Sequence, residues 1–220
     1  MLSNDINNRQ AEHPIYNLNT KLKKVGFLGL VMLLSLVTNA IYYAVINWIP
    51  NMMNEVHFMP QEYSILITLL VPIARMFCPI WTISFCEKRK NIFMVSSVLS
   101  FISLVIFIPF IFLYNSNLIL VIILLVAYNL ISPGISTVYT SILAFNMRSQ
   151  INTGSYTAIV NAVAAIMAGV APPIAGAIID GGNGGNYGIV YIICAIITVI
   201  QMSILFAMAI SFIIKRKSLI

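Results

Sequence analysis

The sequence predicts an all-α polytopic membrane protein with six transmembrane helices. Three observations carry that fold class. Hydrophobic residues make up 60% of the 220-residue chain, charged residues only 8%, and the mean hydropathy is +0.96. Soluble domains sit near 45–50% apolar and about 25% charged, so this chain cannot coat itself with a solvated surface. Six apolar segments, each of 23 to 28 residues, are separated by short polar breaks, and each is long enough to cross about 30 Å of hydrocarbon with some tilt. Membrane-barrel strands would be shorter and would alternate polar with apolar residues.

In order, the predicted spans are Val25–Ile49, Tyr63–Phe85, Ile92–Tyr114, Leu118–Phe145, Tyr156–Ile179 and Gly188–Ile214. The breaks between them are Asn51–Glu62, Cys86–Asn91, Asn115–Asn117, Asn146–Ser155 and Asp180–Tyr187. Three parts follow: a polar tail over 1–24, a transmembrane domain over 25–214 and a short basic tail over 215–220. At 24.4 kDa, the spans leave no room for a soluble catalytic or nucleotide-binding domain. The first 24 residues are too long and too mixed for the basic start of a signal peptide.

The net charge of +6 invites a nucleic-acid reading, but the placement of the cations points elsewhere. Arg9, Lys21, Lys23 and Lys24 precede the first span, Lys88, Arg89 and Lys90 fill the second break, Arg148 lies in the fourth, and Lys215, Arg216 and Lys217 follow the sixth span. The first, third and fifth breaks hold neither Lys nor Arg. By the positive-inside rule, both termini and the even-numbered breaks face the cytoplasm, in a plasma (cytoplasmic) membrane. Trp48, Tyr63, Tyr114 and Tyr187 fall at interface depth, where amphipathic rings collect. The run Gly181-Gly182-Asn183-Gly184-Gly185 reads as an outer loop tolerant of positive φ, since it lacks a P-loop lysine and follows no strand.

One cation escapes the rule. Arg75 lies twelve residues after Tyr63 and ten before Phe85, about 18 Å and 15 Å from the two ends at 1.5 Å per residue. A midplane Arg costs about 2.5–3.5 kcal/mol on insertion scales and needs a partner or a watery cavity. No carboxylate falls inside any predicted span: Glu55, Glu62 and Asp180 are at the outer side, and Asp5, Glu12 and Glu87 are cytoplasmic. The counter-ion is then a substrate anion, a carboxylate of another chain, or backbone carbonyls freed by Pro72 and Pro79 on either side.

Polar stripes mark the other spans. The first carries Ser35, Asn39, Tyr43 and Asn47 at four-residue spacing, with Thr38 and Tyr42 beside them. The fourth carries Asn129, Ser132, Ser136, Tyr139 and Thr140, interrupted by Pro133-Gly134. The fifth has Thr157 and Asn161, then Ala164, Ala168, Pro172 and Gly176, a period that lets helices approach closely, and the Pro172-Pro173 pair should bend it. The third has only serines and the sixth has Thr198, Gln201 and Ser203 in a mostly aliphatic run, so both are expected at the lipid periphery. The substrate-binding candidates are therefore Arg75, Asn39, Tyr42, Tyr43, Asn129, Tyr139 and Asn161, and the helix-break or gating candidates are Pro72, Pro79, Pro133, Gly134, Pro172 and Pro173.

Neither metal, cofactor nor enzymatic chemistry is indicated. Cys78, Cys86 and Cys194 form no close-spaced pair. His13 and His57 lie outside the spans, so the intramembrane Ser-His, Asp-pair or metal constellations of membrane hydrolases are not assembled.

From Lys21 to Lys217 the chain resembles the C-terminal six-helix half of a major facilitator superfamily transporter. The resemblance rests on Tyr42-Tyr43 through Asn47-Trp48-Ile49-Pro50, on the basic turn Glu87-Lys88-Arg89-Lys90, and on Arg148 to Ser155 followed by Asn161 and the Ala/Gly/Pro-rich span. The last stretch is most similar to the organophosphate/phosphate antiporter branch. The loop around Glu87–Lys90 lacks the family's usual Gly and Asp, and Met1–Thr20 resembles the linker between two halves. The resemblance implies a half bundle of 3+3 helices with spans one, two, four and five around a central cavity. It also implies alternating access at the interface with a second six-helix half or a homodimer mate, and transport of a small solute that Arg75 would attract through an anionic group. A six-span solute-binding subunit of an energy-coupling vitamin transporter and a non-transporting membrane fragment fit the same size and topology.

Overall fold

Helices wind wherever the predicted apolar runs lie, because a backbone in hydrocarbon must satisfy its own N–H and C=O groups. The computed structural model describes residues 21–88, 91–148, 151–181 and 185–217. Its elements are α1 (Lys21–Ile46), α2 (Ile49–His57), α3 (Gln61–Thr68), α4 (Leu70–Lys88), α5 (Ile92–Leu113), α6 (Leu118–Ile131), α7 (Pro133–Thr137), a π turn (Val138–Ile142), α8 (Leu143–Asn146), α9 (Thr153–Gly181) and α10 (Tyr187–Lys217). The described residues hold no strand. Six of the helical runs are long and apolar enough to cross a membrane: Val25–His57, Gln61–Cys86, Ile92–Leu113, Leu118–Asn146, Thr153–Gly181 and Tyr187–Ser211. Most of the 1–24 tail and residues 218–220 lie outside the described residues, as do Arg89, Lys90 and residues 182–184.

The chief difference from the sequence reading is at the first break, which was expected over Asn51–Glu62. The chain turns at Asn47-Trp48 and then resumes as α2 up to His57. Pro50 falls in the first turn of this new helix, where its missing N–H has no partner to lose. α2 closes on Phe58, which takes the left-handed conformation (φ 54°) and donates its N–H to the Met53 carbonyl. Asparagines in the other breaks cap the helices that follow. Asn91 accepts from Met94 N–H at 3.2 Å, Asn117 from Ile119 N–H at 2.9 Å, and Asn152 from Ser155 N–H at 3.2 Å.

The principal pairings place the spans in an arc in the order five, one, six, three, four, two. Exchanging one with four, two with five and three with six returns the same arc in reverse. Successive spans joined by short turns run in opposite directions, so the two three-helix units pair as inverted repeats do. Spans two and five, at the ends of the arc, are the most exposed, and span three is the most buried.

Spans three and six were expected only at the periphery. Span three does turn Met94, Phe101, Val105 and Phe112 outward, but it buries Ser96, Ser97, Ser100 and Ser103 inward. Ser96 and Ser100 donate to the carbonyls of Ile92 and Ser96, at 3.2 and 2.9 Å, so those serines enter the interior already satisfied.

Two apolar clusters divide the interior. One gathers Ile41, Val45, Met52, Phe107, Phe110, Tyr128 and Tyr191. The other gathers Val31, Leu34, Phe93, Leu99, Ile135, Tyr139, Leu143 and Leu205. Along four of the spans a polar residue separates the two sets: Thr38 and Asn39 in span one, Ser100 and Ser103 in span three, Ser132 in span four, Thr198 and Gln201 in span six. A polar layer thus crosses the bundle between two greasy halves, and Arg75 of span two reaches it.

Candidate functional site

Arg75 sits in α4 between two prolines. Pro72 and Pro79 have no N–H to give, so the carbonyls of Thr68 and of Arg75 itself lose their helical partners. The helix breaks at Leu69, just ahead of Pro72. Span four is irregular at the facing position: α6 ends before Ser132, Pro133 starts α7, and a π turn follows over Val138–Ile142. Such π turns widen a helix locally and recur at functional sites. Gly134 makes room for the close approach of these two spans, since a Cβ there would lie 2.6 Å from Thr82 Oγ1 and 2.9 Å from Leu99 Cδ1.

The Arg75 guanidinium carbon lies 3.7 Å from the centroid of the Tyr42 ring, and Tyr42 meets Tyr43 edge-on at 5.0 Å. Cation–π contact contributes about 0.5–2 kcal/mol, less than the 2.5–3.5 kcal/mol cost of a midplane Arg. The stack alone does not offset the burial. Among the described residues Arg75 Nη1 is buried without a hydrogen-bond partner.

Two cavities meet at this residue. The first is a pocket of about 20 Å³ in the polar layer, lined by Thr38, Asn39, Tyr42, Arg75, Tyr128, Ser132, Pro133, Ser136 and by Ser103, Thr198 and Gln201 of spans three and six. The second is an open notch of about 250 Å³ between spans two and four, lined by Pro72, Arg75, Met76, Pro79, Pro133, Ser136, Thr137 and Thr140. Arg75, Pro133 and Ser136 belong to both.

The candidates from sequence divide. Arg75, Tyr42 and Asn39 come together at the pocket, and Pro72, Pro79 and Pro133 at the notch. Asn39 gives its amide N–H to Ser35 O at 2.8 Å and so is tied to its own helix. Tyr43 lines neither cavity and supports Tyr42 from the side. Asn129 is buried, donates to Leu125 O at 2.9 Å and leaves its Oδ1 unbonded, yet it borders neither cavity. Tyr139 is wholly buried, its hydroxyl beside Gln201 and Thr38 but outside bonding geometry, while its carbonyl accepts Tyr156 Oη–H at 2.7 Å. Asn161 is exposed on span five, outside both cavities.

Pro172 and Pro173 lie within one continuous helix, α9, where the sequence suggests a bend. The Pro172 carbonyl accepts Trp48 Nε1–H at 2.9 Å, and the indole packs directly on Gly176. This pair joins spans one and five rather than forming part of the site.

Sequence reasoning missed Ser103, Thr198 and Gln201, which were set at the periphery with their spans. Depth was the available signal. Counted at 1.5 Å per residue, Ser103 is about 16 Å from Ile92 and Gln201 about 21 Å from Tyr187, the same level as Arg75. Gln201 crosses to span one, its Nε2–H donating to Thr38 Oγ1 at 2.6 Å.

The fold and this buried layer define a polytopic, all-helical membrane protein. The chain matches no protein-family model and no curated protein. Chemically the site offers a fixed cation, a ring beneath it and hydroxyls around it. No group of three or more potential metal ligands occurs among the described residues.

Proposed function

We propose that this chain is a six-helix half of a secondary transporter of the major facilitator type, moving a small anionic solute by alternating access. The observation that carries the proposal is Arg75: a midplane cation with an unbonded, buried Nη1, while the carboxylates Glu55, Glu62 and Asp180 stand only at the outer ends of the spans. An anionic group entering the notch meets the Arg75 side chain on that face.

The inverted pairing of the two three-helix units supports the same reading, because transporters of this kind bind solute where such repeats meet. The breaks at Leu69 and Ser132 and the π turn lie on the two spans that flank the notch, where a rocking motion needs backbone that can adjust. A complementary six-helix half or a second copy would supply the facing wall, against the exposed spans two and five. The segregation of eleven cations to one side supports cytoplasmic termini in the plasma membrane.

The test is uptake into proteoliposomes, with the full chain reconstituted alone and with a co-expressed six-helix half. Labelled phosphate and short-chain carboxylates serve as solutes. Saturable uptake of at least one anion, lost in Arg75→Gln, is the expected outcome. No anion uptake in either arrangement would contradict the proposal.

A further inference from the structure

The small pocket and the notch differ more than tenfold in volume, and only the notch admits a solute with several heavy atoms. The pocket, at about 20 Å³, just exceeds the 10–15 Å³ or so that one water-sized occupant requires. It lies between the two apolar clusters, and Arg75 forms part of its wall.

The hydrogen-bond ledger at this pocket is lopsided. Thr38 and Thr198 spend their hydroxyl protons on Leu34 O and Cys194 O, at 2.8 and 2.7 Å. Gln201 gives an amide proton to Thr38, and Asn39 gives one to Ser35. Two residues that line the pocket each carry a buried polar atom with no partner among the described residues: Arg75, through Nη1, and Ser103, through Oγ, on a serine only 2% exposed. Both can donate. A water here would satisfy donors but leave the positive charge uncompensated, at a depth where a lone cation costs several kcal/mol.

We propose that this pocket binds one monatomic monovalent anion, of chloride size, as the resident counter-ion of Arg75. The ion accepts from Arg75 and Ser103 and sits on the bundle side of the guanidinium, while the notch side stays open. This goes beyond the transport reading and does not depend on it, since the ion belongs to the resting bundle whether or not a solute crosses.

The experiment is binding of ³⁶Cl⁻ to the purified full chain in detergent, with sodium gluconate holding ionic strength constant. Saturable binding of about one ion per chain is expected, with a thermal midpoint about 2–4 °C higher in chloride than in gluconate at several times the dissociation constant. Ser103→Ala, a small change that keeps the charge, should weaken binding about 10-fold, and Arg75→Gln should abolish it. Ser84→Ala, on the exposed side of span two, should bind as the parent does. The proposal is overturned if the parent chain binds no ³⁶Cl⁻ saturably, which leaves the pocket to water, or if a folded Arg75→Gln or Ser103→Ala chain binds as tightly as the parent. Should Arg75→Gln fail to fold, the parent and Ser103→Ala measurements decide. Uptake of a larger anion through the notch can succeed or fail independently of each of these results.

Discussion

Arg75 was legible from its position alone, because a cation at the centre of an apolar run has few ways to be tolerated. Its stacking partner was harder to read. Tyr42 stood beside the polar stripe of span one, but only the fold places its ring 3.7 Å from the guanidinium carbon. Tyr43 and Asn161 looked equally good in sequence, and a side chain's face of the helix, invisible without neighbours, removed both from the cavities. Replacing Arg75 by Leu removes a charge that costs about 2.5–3.5 kcal/mol to insert, so expression should hold or rise while anion binding falls at least 10-fold. A drop in folded yield with no separable binding defect, read by gel filtration beside a binding isotherm, would make the residue structural instead. Tyr42→Phe should keep the stack and bind within about 2-fold of the parent. Tyr42→Ala should lose about 1 kcal/mol, or 5-fold in affinity.

At the scale of the helices, apolar length located all six spans, whereas the asparagine caps at three of their starts emerge only from the structure. Their irregularities were less visible. Pro72 and Pro133 pointed to the breaks at Leu69 and Ser132, whereas nothing in Val138–Ile142 announced a π turn, which depends on how span four packs. The first span, expected to end at Ile49, instead continues as α2 with Pro50 in its first turn. The small-residue stripe of span five does what its period implies, with Gly176 seated under Trp48. A methyl group at Gly176 would meet the indole, so Gly176→Ala should destabilise the chain by about 1–3 kcal/mol. Trp48→Leu should relieve that clash, leaving a double variant less unstable than the sum of the two changes; strict additivity in thermal unfolding would refute the contact. Gly134→Ala, facing Thr82 and Leu99, should cost a similar amount and lower anion binding as spans two and four are forced apart.

Across the whole molecule, hydropathy located six candidate crossings and charge predicts a direction for them, but neither says which spans touch. The arc, its inverted pairing and the polar layer between two apolar clusters arise from long-range packing that one-dimensional patterns do not encode. That is why spans three and six were set at the periphery although they contribute Ser103, Thr198 and Gln201 to the pocket. Orientation is open to a direct check. Single cysteines placed at Asn51 and Asn115, in a chain cleared of Cys78, Cys86 and Cys194, should react with a membrane-impermeant maleimide from outside intact cells, and one at Ser218 should not. Labelling of Ser218→Cys from outside would invert the topology.

The most direct test of the central claim is anion counterflow in proteoliposomes. Vesicles loaded with an unlabelled anion, and containing the chain with a partner half or as its own dimer, should transiently concentrate the labelled anion. An Arg75→Gln preparation of equal folded content should not. Counterflow that is the same with Arg75→Gln, or equal for a neutral solute of the same size, would contradict the account.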